Sequence, residues 1–150
     1  MRCECACVCV CSVLLRWLAR STRQTLGADS YDYLQSAVGL GSLLHSRGDL
    51  MGAEPLLREG ADGLTALRGA QDTESLTSRA AFASLLLARG EYAEAEPRLK
   101  ELCETSLVAL GEGSDTTRQA HARYGSCLEH LGRAPEHSML GAPDAALYVC

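Results

Sequence analysis

A phrase recurs in this chain every 42 residues, and that interval limits what the chain can fold into more than any other feature. Residues 42–57 read SLLHSRGDLMGAEPLL, residues 84–99 read SLLLARGEYAEAEPRL, and residues 126–134 read SCLEHLGRA. A period of this length marks architectures in which one small unit stacks on its own copy. Units 27–68 and 69–110 agree at 14 of 42 aligned positions, and the agreement falls where turns and packing need it.

Each unit reads as two helices. Gly27, Gly69 and Gly111 open the units, and three residues on stand Ser30, Asp72 and Ser114. Their side-chain oxygens suit an N-cap, where free N–H groups of the next turn need acceptors. Asp32, Glu74 and Asp115 add negative charge to the first turn, on the side the helix dipole favours. Helix A runs from there to about residue 47, 89 or 131. Its apolar stripe is Leu34, Leu40 and Leu44 in the first copy, Leu76, Phe82 and Leu86 in the second, and Tyr124 and Leu128 in the third. A small residue follows the large one each time, at Gly41, Ala83 and Gly125, so a neighbouring helix can approach there. Gly48, Gly90 and Gly132 suit the left-handed stop of a helix, with Arg47 and Arg89 just ahead of two of them.

Helix B follows a short turn, which makes it the antiparallel neighbour of helix A. Ala53 and Ala95 are its small contact positions, and Leu57 and Leu99 its core positions. Pro55 and Pro97 are expected near the first turn, or at a bend, because a mid-helix proline costs about 3 kcal/mol. The end of helix B reads as slipped by one residue, with LTAL at 64–67 against LVAL at 107–110. Gly60 and Gly63 weaken the first helix B by roughly 1 kcal/mol each relative to alanine.

The expected organisation is a repeat region over 12–134. Residues 12–26 form helix B of a partial repeat, 27–68 and 69–110 are repeats, and 111–134 is a half repeat. Leu15 stands one period before Leu57, and Trp17 reads as a packing or half-exposed residue. Residues 1–11, MRCECACVCVC, resemble nothing that follows and are expected to be disordered or artefactual. Cys-x-Cys spacing could present thiolates to a soft metal. A signal or transit peptide is a second reading, although Glu4 interrupts the apolar stretch. A TG-repeat DNA tract also encodes alternating Cys and Val. Residues 135–150 read as an irregular tail, broken by Pro135, Gly141 and Pro143.

The totals exclude several functions. A net charge of -5 offers no basic patch for nucleic acid. No apolar run approaches the length of a membrane span. Of the eight cysteines, five crowd at Cys3, Cys5, Cys7, Cys9 and Cys11, while Cys103, Cys127 and Cys150 are scattered. That is no disulfide framework, and a reducing, cytoplasmic setting is expected.

The run Phe82-Ala83-Ser84-Leu85-Leu86, then Gly90-Glu91-Tyr92-Ala93-Glu94-Ala95-Glu96-Pro97, resembles the tetratricopeptide repeats of the kinesin-light-chain and nephrocystin-3 type. The resemblance covers about 12–134. It implies an all-α α-solenoid of antiparallel helix pairs, about two full repeats plus flanking half-repeats. Helix A of each copy would line a concave groove and helix B the outer face. The groove positions of the family map onto Gln35, Val38, Ser42, His45 and Ser46 in the first copy. In the second they are Thr77, Ala80, Ser84, Leu87 and Ala88, and in the third Gln119, Ala122, Ser126, Glu129 and His130. The family role is to hold a peptide or helix of another protein. Relatives that bind chaperones grip a terminal carboxylate with Lys and Asn, but here those places carry Val38, Ala80, Ser42, Ser84 and Ser126. Kinesin-light-chain grooves are rich in Asn, which this chain lacks entirely.

Other motifs have plainer readings. Gly39-Leu40-Gly41 lacks the strand that precedes a phosphate loop. Arg47-Gly48-Asp49 sits where the next copy reads Arg89-Gly90-Glu91, so turn chemistry explains it. His121, Cys127 and His130 could ligate a metal at helical spacing, but packed or solvated side chains are the plainer reading. No catalytic constellation stands out. The expected function is a non-catalytic protein-interaction module without metal or cofactor. Its partner would be another protein, not nucleic acid or a membrane, and self-association through unpaired terminal helices is open. The alternatives are a fragment of a longer repeat protein without its own activity, or soft-metal binding through the N-terminal cysteines.

Overall fold

Glycine divides the chain into even segments. The computed structural model describes residues 17, 21, 24, 25, 27 and 30–133. Among these, positive φ occurs only at Gly27, Gly48, Gly69, Gly90, Gly111 and Gly132, each 21 residues after the last. With no Cβ, glycine enters this region of backbone space without the clash other residues meet. Five helices lie between these points: α1 Tyr31–Ser46, α2 Leu50–Arg68, α3 Thr73–Arg89, α4 Tyr92–Leu110 and α5 Asp115–His130. No strand occurs among the described residues. The architecture is an all-α solenoid. The expectations for 1–11 and 135–150 fall outside the described residues.

The helix starts follow the sequence reading in position but not always in chemistry. Ser30, Asp72 and Ser114 are all N-caps with extended backbone. Only the Asp72 side chain caps, accepting from the Glu74 N–H at 3.0 Å. The Ser30 and Ser114 hydroxyls make no capping bond. Asp49 caps α2 by accepting from the Gly52 N–H at 3.0 Å, so Arg47-Gly48-Asp49 is a turn-and-cap unit. Glu91 makes no such bond at α4; its carboxylate pairs with Arg89 at 2.8 Å.

Two expectations about helix B need correction. Pro55 and Pro97 lie inside α2 and α4, in the second turn, and the helices run through them. Both prolines are exposed, as are Met51 and Ala93. The carbonyls that lose an N–H donor, four residues earlier, therefore sit on the solvent side. The one-residue slip is absent. Gly69 N–H bonds Thr65 O and Gly111 N–H bonds Leu107 O, so both helices end in the same 42-residue register. Buried Leu64 is therefore matched by buried Ser106, not by Leu107. The Ser106 hydroxyl donates to the Cys103 carbonyl at 3.1 Å, which lets a polar residue occupy a core position.

Packing within a pair is antiparallel and very close. A Cβ built on Gly41 would lie 2.7 Å from Leu57 Cγ, one on Gly60 2.3 Å from Val38 Cγ2, and one on Gly63 2.5 Å from Leu34 Cδ2. Contact positions rise along α2 as they fall along α1, which is the antiparallel arrangement. Leu57 and Leu99 are fully buried, and burying such a side chain contributes roughly 1.5–3 kcal/mol. Between pairs the core continues through Leu76, Phe82, Leu85 and Leu86 of α3. A hydrogen bond also repeats across the junctions. Ser75 Oγ donates to the Leu64 carbonyl at 3.0 Å, and Thr117 Oγ1 to the Ser106 carbonyl at 3.2 Å. Both donors are buried and stand 42 residues apart.

The stack is curved. α3 touches both α1 and α5, whereas α2 and α4 have no pair of Cα atoms within 8 Å. The helix A side is thus the inner side and the helix B side is the splayed outer one.

Candidate functional site

The inner side is built from three helices whose exposed stripes repeat. Gln35, Gly39, Ser42 and Ser46 are exposed on α1. The same places on α3 hold Thr77, Ala81, Ser84 and Ala88, of which Thr77 and Ala88 are exposed and the middle two half-buried. On α5 they hold Gln119, Arg123, Ser126 and His130, all exposed except half-buried Arg123. The stripe is short-chained and nearly uncharged along α1 and α3. A partner backbone can come close to such a surface.

The hydroxyl protons here are largely committed to the helices themselves. Thr77 Oγ1 donates to the Thr73 carbonyl and Ser84 Oγ to the Ala80 carbonyl, each at 2.8 Å. Their oxygens keep acceptor capacity, so they can receive an N–H from outside. On α5, Gln119 Nε2 donates to Asp115 at 2.5 Å and Gln119 Oε1 accepts from Arg123 at 3.3 Å. Gln119 is thereby held against its own helix.

The remaining sequence-derived positions lie elsewhere. Val38 packs on Gly60 of α2, and Ala80 is buried, so both fill the seam between helix A and its own helix B. His45 and Leu87 are half-buried along the same seam, and Leu87 packs against the core. Their counterparts Ala122 and Glu129 are exposed. The structure therefore brings Gln35, Ser42, Thr77, Ser84, Gln119, Ser126 and His130 onto one stripe and sets the Val38, Ala80 and Ala122 row apart from it.

His121, Cys127 and His130 do not converge. Cys127 Sγ donates to the Tyr92 carbonyl at 3.4 Å, and the His130 ring stacks on Tyr92 with centroids 4.5 Å apart. Burial raises the thiols of both described cysteines, Cys103 to about 12 and Cys127 in the same direction, with Glu104 and Glu96 adding to it. A thiol so raised is a poor nucleophile and metal ligand at neutral pH. Among the described residues no three potential ligands come together. No helix among them is long and apolar enough to cross a membrane.

A second concavity, which the sequence reading missed, opens on the outer side where α2 and α4 part. It holds about 320 Å³ and is walled by Asp62 and Thr65 of α2, Arg79 and Phe82 of α3, and Arg98 and Glu101 of α4. Phe82 lies under two guanidinium groups, with Arg98 4.8 Å and Arg58 5.5 Å from its ring centre. Each arginine already has a carboxylate: Arg79 pairs with Glu101 at 2.8 Å, Arg58 with Glu54 at 2.7 Å and Arg98 with Glu94 at 3.5 Å. The cavity is thus charge-balanced and shaped by the structural ion pairs around it. Its signal in the sequence was slight, namely Arg79 where the first copy has Ala37.

Ion pairs join the helix pairs, Arg89 with Glu54 and Arg58 with Glu94 at 3.8 Å, and a further cluster lies at the start of α3. Tyr31 O–H donates to Glu74 at 2.6 Å, which raises the phenol. Arg68 hydrogen-bonds Asp72 at 3.2 Å and holds that carboxyl below its ordinary range.

Neither a protein-family model nor a curated protein matches this sequence. Among solved structures, the fold is similar to the crystal structure of BtubC (BKLC) from P. vanneervenii. The TM-score is 0.73 at 11% sequence identity, over 81% of this chain and 48% of that one. This chain thus spans about half the length of that structure. The likeness supports a tetratricopeptide-like helical repeat fold.

Proposed function

We propose that this chain is a non-catalytic protein-interaction module that holds a peptide or helix of another protein on its inner face. What supports the reading is the exposed or half-buried stripe of Ser42 and Ser84 with short neighbours on α1 and α3, continued by Ser126 on α5, on the side where successive A helices approach. Arrays of this kind present extended concave surfaces to their partners. We read residues 27–68 and 69–110 as complete repeats of the kinesin-light-chain and nephrocystin-3 type, flanked by halves at 12–26 and 111–134. The setting we infer is cytoplasmic. Along α1 and α3 the stripe carries hydroxyl acceptors and short side chains without a cation, and Arg123 on α5 donates to Gln119 of its own helix. The stripe therefore favours an uncharged, small-residue segment over a terminal carboxylate.

The test compares the two sides. Peptides selected on the purified chain from a displayed library are measured against Ser84→Arg and Thr77→Arg on the inner side. Met51→Arg and Val108→Arg, at exposed outer positions, serve as controls. Inner substitutions are expected to weaken binding at least tenfold while outer ones leave it unchanged. Peptides that survive the inner substitutions and are lost with the outer ones would overturn the reading.

A further inference from the structure

Two halves remain when the helices of this chain are paired. α1 packs with α2 and α3 with α4, while α5 has no helix B among the described residues. Residues 12–26 carry a helix B pattern. Leu15, Leu18 and Ala19 stand one period before Leu57, Gly60 and Ala61, and two before Leu99, Leu102 and Cys103. The described members of this stretch, Trp17, Ser21, Gln24 and Thr25, are helical.

The open place on α5 is Gly125. At its first counterpart, Gly41, an added Cβ would meet Leu57 Cγ at 2.7 Å, because α2 drives that leucine onto the helix. At Gly125 an added Cβ would meet nothing within 4 Å. The open place on the other half is marked by Trp17, which is 66% exposed. Trp17 stands one period before Glu59 and two before Glu101. Both carboxylates bind the helix A of their own pair: Glu59 accepts from Tyr33 Oη at 2.8 Å, and Glu101 pairs with Arg79 at 2.8 Å. The α5 counterparts of Tyr33 and Arg79 are Thr117 and His121. Thr117 is buried, its hydroxyl donating to the Ser106 carbonyl at 3.2 Å, and His121 is half-buried.

Residues 134–150 do not carry the helix B pattern. Gly141 stands where the period calls for the leucine of Leu57 and Leu99, and Pro143 follows. We propose that the open face of α5 receives residues 12–26 of a second copy of this chain. Leu15 then lies over Gly125, and Trp17 lies beside the first two turns of α5. The copies join head to tail, and the junction reproduces the pairing of α1 with α2. Such a contact uses a different patch on each partner, so it can extend from copy to copy.

The experiment uses the 150-residue chain in reductant, with mass read by light scattering. Trp17 is the only tryptophan and reports its own burial. From micromolar to near-millimolar concentration, the mean mass is expected to climb from 16.0 kDa and the emission to move to the blue. Gly125→Arg blocks one face and Leu15→Arg the other, so each variant alone is expected to stay at single-chain mass. Mixed, they retain one good face of each kind and are expected to give a two-chain species and nothing larger. Gly125 lies on an open helix face, so its variant is expected to keep the parent's helical spectrum and melt. If Leu15→Arg fails to fold, Gly125→Arg decides alone, through mass and Trp17 emission. A parent that stays at single-chain mass throughout overturns the proposal. So does a Gly125→Arg chain that associates like the parent, or a mixture of folded variants that stays monomeric.

Discussion

The two complete helix pairs fill the same seam with different distributions of bulk. In the first, Val38 of α1 projects into the space left by Gly60 of α2, and Leu34 into that left by Gly63. At the matching places the second pair has buried Ala80 facing the row of buried Leu102, and Leu76 opposite Thr105. At the first place the large residue has moved from helix A to helix B; at the second the leucine stays on helix A and Thr105 replaces Gly63. The 42-residue register is kept in both pairs, with a positive-φ glycine at the same place after each helix. Interiors tolerate such exchanges when volume is conserved, and penalise half of an exchange.

The largest effect is expected at the contact both pairs share. Leu57→Ala is expected to cost about 2–5 kcal/mol, the range for a buried leucine truncated without full collapse of its site. Gly41→Ala is destabilising in the parent, where its Cβ would meet Leu57 at 2.7 Å. In the Leu57→Ala background the same substitution fills part of the void and is expected to stabilise. Urea unfolding of the four proteins in the cycle checks the change of sign.

Next in size is half an exchange. Gly60→Leu alone is expected to cost about 1–3 kcal/mol through overpacking against Val38. Adding Val38→Ala transplants the second pair's solution and is expected to recover most of that loss. If the double variant is no more stable than Gly60→Leu, the two pairs differ by more than this exchange.

Smaller again is the hydrogen bond that repeats between pairs. Ser75→Ala and Thr117→Val are each expected to cost about 1 kcal/mol, the net worth of a typical buried hydrogen bond. Thermal melts should show similar losses at the two junctions and near-additive losses in the double variant.

The smallest effect separates the N-caps. Asp72 is held below its ordinary carboxylate range by Arg68, so it binds its proton less readily folded than unfolded. Its contribution is present above the unfolded value and lost as pH falls through the folded one. Asp72→Ser gives the second pair the residue that stands at the first pair's N-cap position, where its hydroxyl makes no capping bond. The variant is expected to lose less melting temperature than the parent between pH 7 and pH 3. An equal loss in both would remove Asp72 from the acid response.

Much of this fold was legible in the sequence because its determinants are local. The glycine at every helix end needs positive φ, and Ser30, Asp72 and Ser114 mark helix starts whatever surrounds them. Half of the candidate site was legible for a similar reason: Gln35, Ser42, Thr77 and Ser84 lie along one stripe of their helices. The seam-side packing of Val38 and Ala80 was not legible, because it depends on the residue across the seam. Gly60 lets Val38 sink towards α2, and nothing within helix A announces that. The LTAL and LVAL phrases misled because resemblance between letters competed with the helix-ending glycines, which set the register. The outer cavity depends on how far apart α2 and α4 stand, a tertiary distance that no short motif carries. Only the hydroxyls at Ser75 and Thr117 left a usable trace, as donors one period apart.

The evenly spaced left-handed glycines carry a consequence for how such a chain can change length. Every unit begins and ends on the same backbone conformation, so excising or duplicating one returns the chain to the phase at which it left. The array behaves like a coil spring cut by whole turns: its span alters while the pitch of the remaining wire is kept. A segment lost in any other size would rotate each later helix away from its seat. Variation in a lineage of such chains should therefore be counted in units, with the reach of the inner face as the quantity that evolves.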